Sequence, residues 1–269
     1  MAAIIHADSP CILSGGAGIQ RPGTMPATQA YAAQLRALGA VVTPYQMGAL
    51  DKFWRGAGTE GLVRLFLPVW GIAAANAVDA VLPTRSGSFV GTVNYTGKAA
   101  TGDGTTGYFD MVCNTTTTAM DDLSFWLAIH QLAGGVGMSR AELPIGGAGG
   151  GAQATVGIYA NVHAVTTGSS TALTPPAVTT VGLNLGYRSA VDRGAVLYDG
   201  AITSTHGVPP AEVGYAGAIW GLAIPNGGVP VYHSDRPTAL LAAGNATLTP
   251  AQSEALAIRL HTLVTQLRA

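Results

Sequence analysis

Apolar side chains recur at every second position through much of residues 123–223. In LSFWLAIHQ (123–131), Leu123, Phe125, Leu127 and Ile129 fall on one side of an extended chain. Ser124, Trp126, Ala128 and His130 fall on the other. TVGIYANVHA (155–164) sets Val156, Ile158, Ala160 and Val162 against Gly157, Tyr159, Asn161 and His163. VGLNLGYR (181–188) repeats the pattern, and SFVGTVNY (88–95), YFDMV (108–112), AVLYDG (195–200) and YAGAIWGLA (215–223) are further strand candidates. RLFLPVW (64–70) is another, although Pro68 suits only an edge. The clusters TGDGTTG, GGAGGGA, GSST, TPP and PNGG separate these runs and read as turns or loops. Short strands at regular spacing, with no helices between them, predict an antiparallel sandwich or barrel. Each of two stacked sheets needs one apolar face, and the alternation supplies it.

The period changes to that of a helix at both ends. Tyr31, Leu35 and Leu38 are spaced four and three apart, and Gly39 follows as a stop. Thr43-Pro44-Tyr45-Gln46 then opens a second helix: Thr43 caps, Pro44 fits the first helical position and Gln46 reaches back. Met47, Leu50, Phe53 and Trp54 form its apolar stripe, and Gly56 ends it. The same device returns at Thr249-Pro250-Ala251-Gln252, ahead of Leu256, Leu260, Leu263, Val264 and Leu267. No wider similarity follows the repeated motif, so it marks helix starts and not a duplicated domain; each capping box contributes about 1 kcal/mol. Residues 1–27, rich in Gly and Pro without apolar periodicity, read as an extended arm. The expected organisation is that arm, a helical lead-in (28–62), and a sandwich closed by a helix (63–269).

Composition narrows the partners. Only 10% of the residues are charged while 48% are hydrophobic and 37 are Gly, so much of the surface is expected to be covered in an assembly. A net charge of -1 without a Lys/Arg cluster excludes a nucleic-acid face. The opening MAAIIHADSPCILSGG has no basic start and no long apolar core, which predicts no secretory signal. LFLPVWGIAAANAV (65–78) is too short and interrupted to span a bilayer. Cys11 and Cys113 are far apart and suggest neither a metal site nor a disulfide framework.

Candidate chemistry is sparse. GGAGGGA (146–152) lacks the Lys of a phosphate loop, and no G-x-S-x-G elbow occurs. Glu60, Glu142, Glu212 and Glu254 are dispersed, and no carboxylate pair is marked by local spacing. No two of the six histidines have metal-ligand spacing. Asp103 reads as a turn residue bonded to its own backbone, with calcium binding the alternative. His130 and His163 share strand faces with Trp126 and with Tyr159 and Asn161. Aromatic, amide and imidazole groups on one face suit a sugar ring, so Trp126, His130, Tyr159, Asn161 and His163 form a candidate glycan site. The other reading is an interface or packing face, since Trp and Tyr commonly anchor such contacts. Metal, cofactor and catalytic residues are expected to be absent.

The order of these features resembles that of concanavalin-like, laminin-G-like jelly rolls. TGDGTTGYFDMV is similar to their F-D-G-x-x-x-Y strand opening, with Gly102 in place of the Phe, Asp103-Gly104 matching and Tyr108 at the aromatic position. LSFWLAIHQ resembles their next strand. The tail YHSDRPTALLAAGNATLTPAQSEALAIRLHTL resembles the strand-then-helix ending of laminin-G-like proteins of tailed bacteriophages. YAAQLRALGAVVTPYQMGALDKFWRGAGTEGLVRLFLPVWG resembles the paired helices before the sandwich in phage structural proteins. Together these cover roughly residues 30–269.

The resemblance implies an all-β, antiparallel two-sheet jelly-roll sandwich with a short N-terminal helical pair and a C-terminal helix. It implies a virion structural protein of fibre, spike or decoration type and no enzymatic activity. The implied partners are other virion proteins and copies of itself in a homo-oligomer, a trimer suiting a fibre, with host-surface glycan as a further contact. The alternatives are a soluble carbohydrate-binding module and a polysaccharide-degrading enzyme on the same scaffold.

Overall fold

A computed structural model describes residues 24–56, 61–96, 98–114, 125–133, 145–149, 152–159, 162–167, 181–188, 192–207, 218–226, 228–231 and 233–269. The chain begins with helices α1 (Pro26–Ala37) and α2 (Pro44–Arg55), strand β1 (Leu62–Phe66) and one short turn of helix, α3 (Ala73–Asn76). There follow β2 (Ser88–Val90), β3 (Val93–Asn94), β4 (Thr101–Gly102), β5 (Tyr108–Asn114), β6 (Phe125–Gln131), β7 (Ile145–Gly149), β8 (Ala152–Tyr159) and β9 (Val162–Thr167). The rest is β10 (Gly182–Arg188), β11 (Arg193–Tyr198), β12 (Ile202–Gly207), β13 (Ala218–Gly221), β14 (Ile224–Asn226), β15 (Val229–Val231), β16 (Thr238–Gly244) and α4 (Pro250–Arg268).

Both Thr-Pro-x-Gln motifs start helices as expected. Thr43 Oγ1 accepts from the Gln46 N–H at 3.2 Å and Gln46 Oε1 accepts from the Thr43 N–H at 3.0 Å. Thr249 and Gln252 reproduce the pair at 3.3 and 2.9 Å. The first motif does more: Gln46 Nε2 donates to Leu267 O, near the far end of α4, at 2.8 Å. At α4's middle, Arg259 Nη2 donates to Phe53 O near the end of α2, so the two helices run antiparallel. Gly39 ends α1 with φ +87°. Its N–H and that of Ala40 return to the carbonyls of Arg36 and Leu35, the bonds that terminate a helix in a left-handed residue.

The strands build two principal sheets, a β-sandwich. One has six strands in the order β1-β16-β6-β10-β11-β12; the other has eight, β15-β14-β7-β13-β5-β2 with β8 and β9 added beside β7. Pairing is antiparallel except between β14 and β7. β1 is an edge strand, and it ends at Phe66, before Pro68 can interrupt a ladder. TVGIYANVHA is not one strand: β8 and β9 pair with each other, Tyr159 opposite Val162 and Ile158 opposite His163. GGAGGGA, expected to be a loop, contributes β7, whose backbone pairs with β8 on one side and β13 on the other. Ladder bonds on both sides outweigh the poor strand propensity of glycine there.

Two apolar clusters lie on opposite sides of the six-stranded sheet. Between the sheets, Phe66, Phe109, Met111, Phe125, Leu127, Ile129, Ile219 and Leu241 pack together. On the other side, Trp126, Leu183, Leu185, Val196 and Leu240 pack against Tyr31 and Leu35 of α1, Leu50 and Phe53 of α2, and Leu256, Leu260 and Leu263 of α4. Each such fully buried side chain contributes about 1.5–3 kcal/mol. β6, β10 and β16 are therefore buried along their whole length. Cys113 is buried on the inner face of β5.

Candidate functional site

The expected glycan face of β6 lies beneath the helical layer. Trp126 is fully buried, and its indole lies across Gly244 of β16, where an added Cβ would come within 2.2 Å of the ring. His130 is also buried, with Nε2 3.1 Å from Nδ1 of His261 on α4. The Tyr198 ring completes the contact around His261, the two rings standing at 90° with centroids 4.9 Å apart. Burial, then the neighbouring imidazole and the Arg268 guanidinium, push the His130 pKa down to about 3. Burial lowers that of His261 too, against the opposing pull of Asp199. A sugar cannot reach either residue, so the glycan role expected of Trp126 and His130 is corrected. The physical reason is area: a face carrying Trp, Ala and His is apolar enough to be covered by the stripe of α4.

Tyr159 and His163 stand on neighbouring rungs of the β8–β9 hairpin, not four places apart on one strand. The shared face that grouped them is therefore absent from the ladder. Asn161, and the side chains of Tyr159 and His163, lie outside the described residues.

The structure instead brings an aromatic and acidic group together on the outer face of the eight-stranded sheet. Its foundation is the TGDGTTG turn. Asp103 Oδ1 accepts the N–H groups of Thr105, Thr106 and Gly107 at 2.9, 2.7 and 2.8 Å, and Oδ2 accepts the Thr106 hydroxyl at 2.6 Å. The Thr106 bonds lead in holding this carboxyl far below the usual range. These bonds occupy the oxygens that calcium would need, as the turn reading of Asp103 expects. The turn delivers Tyr108 to the start of β5, where its ring stacks on Trp220 of β13 with centroids 4.5 Å apart and planes 28° from parallel.

Phe109, Met111 and Cys113 point inward from β5, leaving Tyr108, Asp110 and Val112 on the outer face. Asp110 Oδ1 accepts the Val112 N–H at 2.8 Å across a bulge. Val112 adopts φ +46°, a strained setting for a β-branched residue. Its carbonyl turns to accept from Arg64 Nη2 of β1 at 2.9 Å, which ties the two sheets. Arg64 and Arg85 in turn flank buried Asp79, at 3.8 and 3.0 Å. Tyr108 and Asp110 are half-buried, while Val112, Val90 and Ser88 are exposed beside them. An aromatic ring with a carboxylate beside it can stack on a sugar and accept from its hydroxyls. Sequence reasoning placed Tyr108 and Trp220 in strands but could not see them meet, because long-range pairing of β5 with β13 creates the contact.

A second polar group lies at the far edge of the six-stranded sheet. The Tyr187 hydroxyl is 3.1 Å from both Asp192 Oδ2 and His206 Nδ1. His206 Nε2 lies 3.6 Å from Glu254 Oε1, which accepts the Ser204 hydroxyl at 2.6 Å. Gly194 sits between Tyr187 and His206 in the ladder; a Cβ there would press 2.2 Å from the tyrosine ring. Burial first, and Asp192 second, hold the Tyr187 hydroxyl well above its usual pKa. Tyr187 is fully buried and cannot touch a substrate, so this chain serves to fasten the first turn of α4 to the edge strand β12. A cleft of about 630 Å³ runs between α2 and α4 over Ala49, Phe53 and Leu263, rimmed by Lys52 and Arg259. Among the described residues no cluster of His, Cys, Asp and Glu fits a metal ion, and no helix is long and apolar enough to cross a membrane.

No protein-family model and no curated protein sequence matches this chain. Solved structures do. Domain 4 of a GH43 extracellular arabinanase from Geobacillus stearothermophilus, solved with arabinotriose, aligns over 73% of this chain and 98% of its own, with 14% identity and a TM-score of 0.51. Trypanosoma rangeli sialidase, solved with sialic acid, aligns over 89% of this chain at 12% identity and a TM-score of 0.52. The same sialidase with a difluorosialic acid aligns over 90% at 14% and 0.52. The chain spans 38% and 39% of those sialidase chains. Such distant likeness establishes the fold alone, a β-sandwich found in carbohydrate-active proteins. It also corrects the expectation that the chain is not an enzyme. That expectation rested on missing local motifs, and this fold is carried by an arabinanase and by sialidases. A pair of carboxylates can be assembled from distant strands, which local spacing does not reveal.

Proposed function

We propose that the chain is a structural subunit of a tailed-phage particle, of fibre, spike or decoration type, built on a jelly-roll sandwich and used in several copies. The observation that carries this reading is the one-sided closure of the sandwich. Among the described residues, α1, α2 and α4 cover the six-stranded sheet, while β5 presents Tyr108, Asp110 and Val112 outward. A body with one closed side and one presenting side suits repeated display. The order of motifs over residues 30–269 and the low charged fraction, 10%, support the same reading. Residues 1–27 would dock on the particle or a sister subunit. Mass spectrometry of purified particles tests this: the chain is expected at a fixed copy number per particle, and its absence from particles overturns the reading.

A second reading, a soluble carbohydrate-binding module, is favoured by the Tyr108–Trp220 stack beside Asp110. A glycan array with the chain lacking the arm ahead of α1, residues 1–23, separates the two. Retention of a glycan that Tyr108→Ala abolishes, by a protein absent from particles, would support the module.

A further inference from the structure

The imidazoles of His130 and His261 meet in the seam between the helical layer and the six-stranded sheet. At 3.1 Å one facing nitrogen must donate and the other accept. The pair can take up one extra proton and keep this bond, as an imidazolium donating to a neutral ring. It cannot take up a second, because both facing nitrogens would then carry hydrogens. Full protonation therefore requires the rings to part. His130 is fixed on β6, paired with Leu183 of β10 on one side and Leu240 of β16 on the other. His261 rides on a helix.

We propose that α4, with α2 bonded to it, is an acid-released cover over the Trp126 face of the six-stranded sheet. The surroundings favour release over accommodation. Leu183 and Leu240 flank His130 in the ladder, and the Tyr198 ring lies 4.9 Å from His261 between centroids. Arg268 of the same helix adds a like charge, and Asp199 is the acid that acts on His261. Lys98 Nζ donates to Arg268 O and adds a second cation near the helix end. At the opposite end, Glu254 accepts the Ser204 hydroxyl and ties the first turns of α4 to β12, so opening starts from the C-terminal half of α4. Both histidines have their pKa depressed in the folded chain, so the folded state binds fewer protons than the unfolded one as pH falls below the ordinary imidazole range. Stability of this seam is thus full above that range and declines towards acid.

Amide hydrogen exchange on the full chain, corrected for intrinsic rates, tests the proposal. Between about pH 7.5 and about pH 4.5, protection of α4 should fall at least about tenfold further than that of β5 and β6. In His261→Gln, whose amide can still bond His130, that differential should shrink at least about threefold, since only the burial of His130 then remains. Equal losses in helix and sheet, or the same differential in the variant, would overturn it. Should the variant not fold, imidazole NMR of the unaltered chain decides. Uptake of the second proton coinciding with loss of α4 protection supports the cover; two independent titrations near about 6.5 sink it.

Discussion

The two sheets use the same period-two alternation for different ends. In the six-stranded sheet, β6, β10 and β16 are buried on both faces, one against the opposing sheet and one against three helices. In the eight-stranded sheet, β2 and β5 bury Phe89, Phe109 and Met111 and leave Ser88, Val90, Tyr108 and Val112 at least partly in solvent. The lesson is that an aromatic residue on the second face of a strand has two fates. Trp126 became core because a helix with a matching stripe lies over it. Tyr108 stayed accessible because the stripes of the long helices were spent on the other sheet.

The comparison can be broken most forcefully at Trp126. Trp126→Ala removes the side chain that fills the space over Gly244, and should cost about 4 kcal/mol in urea unfolding. A loss below about 1 kcal/mol would mean the face is not core at all. Next is the ionic tie beside β1, the edge strand of the six-stranded sheet. Asp79 accepts the N–H groups of Leu65 and Val81 at 3.2 and 2.9 Å while flanked by Arg64 and Arg85. Asp79→Asn keeps an acceptor but leaves two guanidiniums without their shared carboxylate, and should destabilise by about 3 kcal/mol. Arg64 would then hold Val112 less firmly, so faster exchange at the Val112 amide should accompany the loss.

Smaller effects sharpen the contrast. Thr249→Ala and Thr43→Ala should each cost about 1 kcal/mol through the lost cap. The second should cost more, because Gln46 also holds the carbonyl of Leu267 and its side chain would lose its partner on the cap. Equal losses would show that the Gln46 link across to α4 contributes nothing. Tyr108→Ala should be mildest for stability, about 0.5–1.5 kcal/mol for the lost ring stack, while removing whatever glycan retention an array detects. A large stability loss with unchanged glycan retention would make Tyr108 a packing residue.

Much of this was legible in the chain. Thr43 and Gln46, and Thr249 and Gln252, announce their helices because a capping box is a contact between residues three apart. Gly39 announces the end of α1 because it alone readily takes a left-handed turn. Pro68 announces an edge, and Asp103 followed by Gly104 announces a turn that folds on its own oxygens. The IGGAG strand was hidden for the opposite reason. Its strand character comes from neighbours on both sides, not from its own residues.

Local sequence thus determined where α2 and α4 start, where α1 stops, and which side chains of an unbroken strand share a face, since these depend on contacts a few residues long. Which face would be covered, and what would meet across it, was decided only by tertiary structure. His130 meets His261, Tyr108 meets Trp220 and Arg64 meets Val112 through pairings of strands and helices far apart in the chain. A period of two divides a strand into two faces, but apolar area alone does not say which distant stripe will bury each one.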